Sequence, residues 1–414
     1  MSTLQRTSSQ DTNIDSLPDH ILREIFSSLT FSSDKSRLCA PETVSHVSKY
    51  WRAVALDFSL LWTFIVVPFP VVSSQIDRAK AGLRRSGDQP IDVHIDVRDP
   101  DWDWESEEDQ HPMGPAIIVE IMQLLGLSHP RWRSLTVLTD TWEPMHTFLA
   151  YSTMFPSFPS LEELSLNRCN AFAGLPDAPD PVPSDPVGLF GGNATLPRLR
   201  HVSLAGTHVD YSSTGFKDLQ SLDIRHQAPK VSPTIRQLRQ LLHGCPGLKS
   251  LSLVALNPPD GDDQDDGLAV SLPNLTDLTL GWWFVDDAVK LLNALQLPVV
   301  QNLVLEDIAP TLFQNGHVPH DSTAILEALV KMGNRPYNPA APSSFPSHLR
   351  KLTINGLLLD PAAFSQFIPF LENLEELELR SVQPELVQAM GHCKGNAAAY
   401  GGGPLVTSAI LRVR

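Results

Sequence analysis

The sequence predicts an α/β protein in two parts: a small helical domain over residues 14–65, then an irregular solenoid of repeats whose strands line one curved parallel sheet. Two observations predict it. Near the N-terminus, Leu17, Pro18, Ile21, Leu22, Ile25, Phe26 and Leu29, then Val44, Val47, Trp51, Leu61 and Trp62, form a compact apolar pattern with helical spacing. After residue 130 a frame of the form L-x-x-L-x-L returns repeatedly, with several starts 25 to 29 residues apart.

Residues 1–13 are polar and are expected to be disordered. The first helix starts at Pro18, where a missing N–H costs nothing. Ile21, Leu22, Ile25, Phe26 and Leu29 fall on one side of it, and Val44, Val47 and Trp51 supply an opposing face.

The run Leu17-Pro18-Asp19-x-Ile21-Leu22-x-x-Ile25-Phe26-x-x-Leu29, with Val44-Ser45-x-Val47-x-x-x-Trp51-Arg52 and Leu61-Trp62, resembles the F-box motif. Between Leu29 and Val44, a polar run from Phe31 to Thr43 stands where that family has a short loop and a leucine pair. The resemblance implies that this segment binds the adaptor protein of an SCF-type cullin-RING ubiquitin ligase, and through it a cullin. The downstream domain would then capture a protein substrate. The twelve apolar residues from Leu17 to Trp62 are the candidate adaptor-binding set. Spacing alone leaves open which of them meet the adaptor and which pack inward.

Residues 66–90 read as a helical linker, with Ile76 to Leu83 at helical spacing. Next, Ile91, Val93, Ile95 and Val97 alternate with Asp92, His94 and Asp96, a half-exposed strand expected to open the sheet. The frames follow: Trp132/Leu135/Val137, Leu161/Leu164/Leu166, Leu199/Val202/Leu204, Leu219/Leu222/Ile224 and Leu248/Leu251/Leu253. They continue with Leu275/Leu278/Leu280, Val300/Leu303/Leu305, Leu349/Leu352/Ile354 and Leu374/Leu377/Leu379. Their period is that of leucine-rich repeats.

Between frames, Ile117–Leu125, Ile235–Leu242, Ala288–Leu295, Ala324–Val330, Ala362–Phe370 and Leu386–Met390 carry helical patterns. Ser232-Pro233, Asp286-Asp287, Asp321-Ser322 and Asp360-Pro361 are expected caps. Two intervals exceed one repeat, and Pro-rich insertions near 174–197 and 333–347 account for both. The C-terminal Ile410-Leu411-Arg412-Val413-Arg414 looks like another repeat strand.

A formal net charge of −16 argues against a general nucleic-acid or anionic-membrane binder, which needs clustered cations. It permits basic protein partners. Cys39, Cys169, Cys245 and Cys393 stand far apart and suggest neither a zinc site nor a disulfide framework. The most apolar run, Leu60 to Val72, is too short for a membrane span and holds Pro68 and Pro70. With no apolar signal segment at the N-terminus, a cytoplasmic or nuclear location is expected.

Within the acidic run Asp260 to Asp266, Asp262-x-Gln264-x-Asp266-Gly267 resembles the start of a calcium loop, but the twelfth position counted from Asp262 is Pro273 rather than a bidentate Glu, so the run reads as a solvated acidic loop. Asp99 to Asp109 is also acidic and again reads as a solvated loop, with Trp102 and Trp104 as anchors for a basic partner the alternative. No acid, base, nucleophile or metal constellation is visible. No enzymatic activity and no cofactor are expected.

Alternation within each frame predicts the binding surface, because residues between the leucines face away from the core. Glu163, Asn167, Asp223, Arg225, Asp277, Glu306, Lys351, Asn355, Glu378 and Arg380 are the candidate substrate-binding residues. Trp283 joins them by sharing parity with Gly281. A repeat scaffold that holds protein complexes without coupling to a ligase is the alternative.

Overall fold

The N-terminal module is three helices, Asp19–Thr30 (α1), Ser36–Ser45 (α2) and Lys49–Asp57 (α3), closed by a short 3-10 turn at Ser59–Trp62. The computed structural model describes residues 17–30, 36–103, 108–170, 186–259, 269–309, 320–333, 345, 347–389, 398–400 and 406–412. The polar N-terminus 1–13, Trp104, the aspartate run 260–266, Cys393, and residues 174–185 and 334–344 of the Pro-rich insertions lie outside them.

Helix α1 begins where Pro18 ends the preceding chain, and the Pro18 carbonyl accepts from Ile21 and Leu22 N–H at 3.0 and 3.2 Å. The second apolar set divides between two helices rather than one. Val44 sits in α2 and Trp51 in α3, with Val47 in the turn between them. Ser48 forces the break: its hydroxyl accepts from the Trp51 N–H at 3.2 Å and caps α3.

Strand β1 (Phe64–Pro68) follows the module directly, ahead of helix α4 (Ser73–Arg85) and strand β2 (Ile91–Asp96). The expected linker over 66–90 is therefore helical only in part. The strand at Ile91 is second in the sheet rather than first, because β1 pairs with it in parallel, Phe64 opposite Asp92 to Pro68 opposite Asp96, and buries Ile65 and Val67 in the core.

The chain then alternates: helix α5 (Pro115–Gly126), strand β3 (Trp132–Thr139), helix α6 (Trp142–Ser152) and strands β4 (Glu163–Arg168), β5 (His201–Ala205) and β6 (Ser221–Arg225). Helix α7 (Ile235–His243) precedes strand β7 (Ser250–Val254), the short β8 (Val270–Ser271) and β9 (Asp277–Trp282). Helix α8 (Val285–Asn293), the short β10 (Leu295–Gln296) and β11 (Asn302–Asp307) follow. A helix at Thr323–Gly333, strand β12 (Lys351–Asn355), a helix at Pro361–Phe367, strand β13 (Glu376–Val382) and a helix at Pro384–Ala389 continue the pattern. Strands β14 (Ala398–Tyr400) and β15 (Val406–Arg412) come last.

Eleven strands, β1-β2-β3-β4-β5-β6-β7-β9-β11-β12-β13, form one parallel run in that order, while β8 and β10 pair separately. The helices between them give an α/β architecture consistent with a leucine-rich-repeat-like solenoid. Register explains the frame. Leu135, Leu164, Val202, Leu222, Leu251, Leu278, Leu303, Leu352 and Leu377 align across neighbouring strands. Two residues on, Val137, Leu166, Leu204, Ile224, Leu253, Leu280, Leu305, Ile354 and Leu379 form a second row.

Both rows are buried against the helices in one continuous core. Each such aliphatic side chain contributes about 1.5–3 kcal/mol of burial. That repeated gain holds eleven strands in one register.

Three expectations need correction. The C-terminal strand is not another repeat: β15 runs antiparallel to β13, Leu377 facing Leu411, and β14 pairs antiparallel beyond it. The cap of α7 is Thr234, not Ser232-Pro233, because Thr234 and Gln237 exchange hydrogen bonds at 3.0 and 3.1 Å in a capping box. Asp286 and Asp287 lie inside the first turn of α8, whose cap is Phe284. Asp360 does cap its helix, accepting from Ala362 and Ala363 N–H at 3.2 Å each.

Candidate functional site

Two surfaces matter: the outside of the helical module and the face of the sheet that carries no helices. In the module the twelve apolar residues separate by burial. Leu22, Phe26, Val44, Trp51, Leu61 and Trp62 are buried together in a core of their own. The Phe26 and Trp51 rings meet edge to face at 5.5 Å, and the Trp62 indole N–H donates to the Ala55 carbonyl at 2.7 Å. As direct adaptor contacts these six are corrected: the module seals them to hold its own helices together.

The others reach the surface. Pro18 is exposed, Ile25 and Val47 are 37% and 47% exposed, and Leu17, Ile21 and Leu29 are half-buried. Pro18, Ile21 and Ile25 follow one stripe of α1, beside the inward stripe of Leu22 and Phe26. Tyr50 is 37% exposed and donates its hydroxyl to the Leu17 carbonyl at 3.1 Å, which fixes the chain entering α1. Tyr50 was not anticipated, because it precedes Trp51 with no spacing signal of its own.

The module is tied to the sheet. Arg78 of α4 pairs with Glu42 of α2 at 2.7 Å, and the Arg85 guanidinium lies over the Trp62 ring. A Cβ on Gly82 would meet Ile65 Cδ1 at 2.8 Å, so glycine allows α4 to lie close against β1.

On the open face of the sheet, the residues between the leucines stand in rows as parity requires. Phe64, Asp92, Ser134, Glu163 and His201 are successive register partners, and Val66, His94, Thr136, Ser165 and Ser203 form the next row. Most of the candidate substrate-binding residues are there, but many are engaged with one another. Arg225 pairs with Asp223 at 2.6 Å, Asn355 donates to Glu306 at 2.8 Å, and Asn302 donates to Asp277 at 2.6 Å. Lys351 pairs with Glu376 at 2.6 Å, and Arg380 with Glu378 at 2.7 Å. Glu378 is itself buried, 7% exposed, within the row. Asn167 donates to the Ser165 hydroxyl at 2.8 Å.

Trp283 is a correction. It is 3% exposed and packs with Val254, Ala255, Ile308 and Ala309. Strand β9 ends at Trp282, so alternation no longer governs the next residue. Trp102 is likewise no free anchor, since its ring packs edge to face on His111 at 4.6 Å.

His111 belongs to a rim cluster beyond the C-terminal ends of β2 to β4. Its Nδ1 accepts from the Met113 N–H at 3.2 Å, so Nε2 carries the proton and donates to Asp140 at 3.1 Å. Burial pushes the Asp140 carboxyl up, against the hydrogen bond from the Asp99 N–H and the one from His111. Nearby, burial opposes ionisation of Asp96, yet the hydrogen bonds and charge of Arg98 outweigh it and hold that carboxyl below its usual range. Burial pushes the Cys169 thiol up, so it stays protonated at neutral pH. These groups lock strand ends and display no nucleophile. No group of His, Cys, Asp and Glu suited to a metal occurs among the described residues.

The open face also holds a cavity of about 500 Å³, lined by Thr30, Phe64, Asp92, His94, Arg133 and Glu162 among others. Arg133 donates to both Asp92 carboxylate oxygens, at 2.9 and 2.7 Å. Of the candidate residues only Glu163 lines it. Asp92 and His94 were legible as the outward phase of the strand at Ile91, which carries no repeat frame.

The chain thus joins a helical module with an apolar outer stripe to a long parallel repeat sheet. Residues 14–67 match the family model for F-box-like domains. No curated protein matches the chain. No helix among the described residues is long and apolar enough to cross a membrane.

Proposed function

We propose that this protein is the substrate-recognition subunit of an SCF-type cullin-RING ubiquitin ligase. Its helical module docks the adaptor, which bridges to a cullin, and the open face of the sheet holds a protein substrate. It acts in the cytoplasm or nucleus and leaves ubiquitin transfer to other subunits.

The observation that carries this reading is the division of apolar residues in α1. Leu22 and Phe26 complete the module's core, while Pro18 and Ile25 remain outside with Ile21 half-buried. A helix serving only its own fold needs the first stripe and not the second.

Capture of a purified SCF adaptor tests it. A Pro18→Ala, Ile25→Ala, Val47→Ala triple variant retains the fold and loses capture, each central anchor costing on the order of 2 kcal/mol. Undiminished capture rules out this docking surface. Failure of the wild-type chain to bind any adaptor favours a repeat scaffold uncoupled from a ligase.

A further inference from the structure

We propose that the cavity between Phe64 and Glu163 receives an isolated lysine or arginine side chain of the substrate. This deepens the receptor reading above and rests on it for the word substrate.

The chemistry of the walls points to a cation. Arg133 is committed to Asp92 through two hydrogen bonds, so that pair presents little net charge. Glu162 and Glu163 form no ion pair among the described residues and line the same space, where the Arg133 charge acts on both from a distance, leaving three carboxylates to one guanidinium. His94 adds no positive charge, because burial pushes its imidazole below the usual range and leaves it neutral near pH 7. The cavity is therefore negative in balance.

Outside the adjoining cavity of Arg198 and Arg200, cations elsewhere on the face are paired. Arg98, Arg225, Lys351 and Arg380 are each neutralised by a carboxylate within 2.7 Å. A cation arriving from outside meets no competing free cation in the larger cavity. The chain's net charge of −16 draws such a partner in from a distance.

Shape and position agree. A volume of about 500 Å³ lies within the usual range of ligand sites and accommodates a long side chain with its flanking backbone. The Phe64 and His94 rings, 6.2 Å apart, offer an apolar wall for an aliphatic stem and a π face for its charged end. Thr30, the last residue of α1, lines the rim. An occupant is thereby held against the helical module, at a fixed place relative to the adaptor stripe.

The neighbouring cavity sets a limit. It measures about 260 Å³, shares Glu162 and Glu163, and adds Arg198, Arg200 and His201. A second cation beside the first meets like charge there. The site selects one basic residue flanked by neutral or acidic ones, and a polybasic run gains nothing from it.

The test is fluorescence anisotropy of the full chain with three labelled Gly/Ser-rich peptides bearing one central Lys, one central Gln, or three consecutive Lys. The single-Lys peptide binds at least tenfold tighter than the Gln peptide, and the triple-Lys peptide binds no tighter than the single. Glu162→Gln combined with Glu163→Gln abolishes the preference, and Glu163→Gln alone weakens it should the double variant fail to fold. Equal binding of Lys and Gln peptides, or an unchanged preference in a folded variant, overturns the proposal. Adaptor capture by the same samples separates the two readings: a wild type that prefers Lys yet captures no adaptor keeps the cavity and loses the ligase.

Discussion

The guanidinium of Arg85 lies 4.2 Å from the centroid of the Trp62 ring. Trp62 closes the core of the helical module and Arg85 ends the helix that packs on the first strand, so this contact spans the two parts of the molecule. Together with Arg78–Glu42 and the close approach at Gly82, it makes the junction a packed interface instead of a tether. The substrate-positioning role proposed above needs that stiffness.

Arg85→Ala removes the cation–π contact and costs about 0.5–1 kcal/mol, the range for an exposed pair. Urea unfolding reads this as a lower midpoint with an unchanged slope.

Neighbouring residues of α1 should separate stability from binding. Phe26→Ala opens the module's core and costs about 3–5 kcal/mol. Ile25→Ala changes stability by about 0.5 kcal/mol or less, yet weakens adaptor capture on the order of 30-fold. Thermal melts and adaptor titrations on the two variants check both halves.

Gly356 has φ +74°, and a Cβ there would meet the Asp307 carbonyl oxygen at 2.9 Å. Gly356→Ala therefore destabilises, by about 1–2 kcal/mol from the left-handed backbone and more from the contact. Gly247→Ala has open space and an ordinary φ, and raises stability by about 0.4–1 kcal/mol. Melting temperatures of the pair report the contrast.

Asp96 supplies a pH dependence. Its folded carboxyl titrates below the unfolded value near 3.8, so its contribution is present above that value and is lost as pH falls through the folded one. Melting temperature as a function of pH should show wild type above Asp96→Asn at pH 6, with the curves converging below about pH 3.8.

The repeat strands were legible because each frame gives two buried positions in the same phase, and register then aligns Leu135 through Leu377 without further information. Strand β1 was hidden: Phe64-Ile65-Val66-Val67-Pro68 is apolar in both phases and has no frame. Helix α6 carries a helical spacing in Met145, Phe148, Leu149 and Ser152, but it lies in the interval between the frames Trp132/Leu135/Val137 and Leu161/Leu164/Leu166, for which no helix was expected. The direction of β15 had no local signature, since parallel and antiparallel strands share a period of two.

For the candidate site, parity placed Glu163 and Asp223 on the open face, but hydrogen bonding decides availability. Asp223 is taken by Arg225, whereas Glu163 lines a cavity. Trp283 shows where parity stops, one residue beyond its strand. In α1 the spacing was right and the roles divided, because a stripe wide enough for five apolar residues serves an inner and an outer neighbour at once.

Strand β1 begins two residues after Trp62, and its ladder runs along β2 from Phe64 to Pro68. No cut between 63 and 91 therefore yields two self-sufficient fragments. A shortened chain starting at Ile91 bares the amide row of β2, a ready template for strand addition, and such a fragment is expected to self-associate in solution.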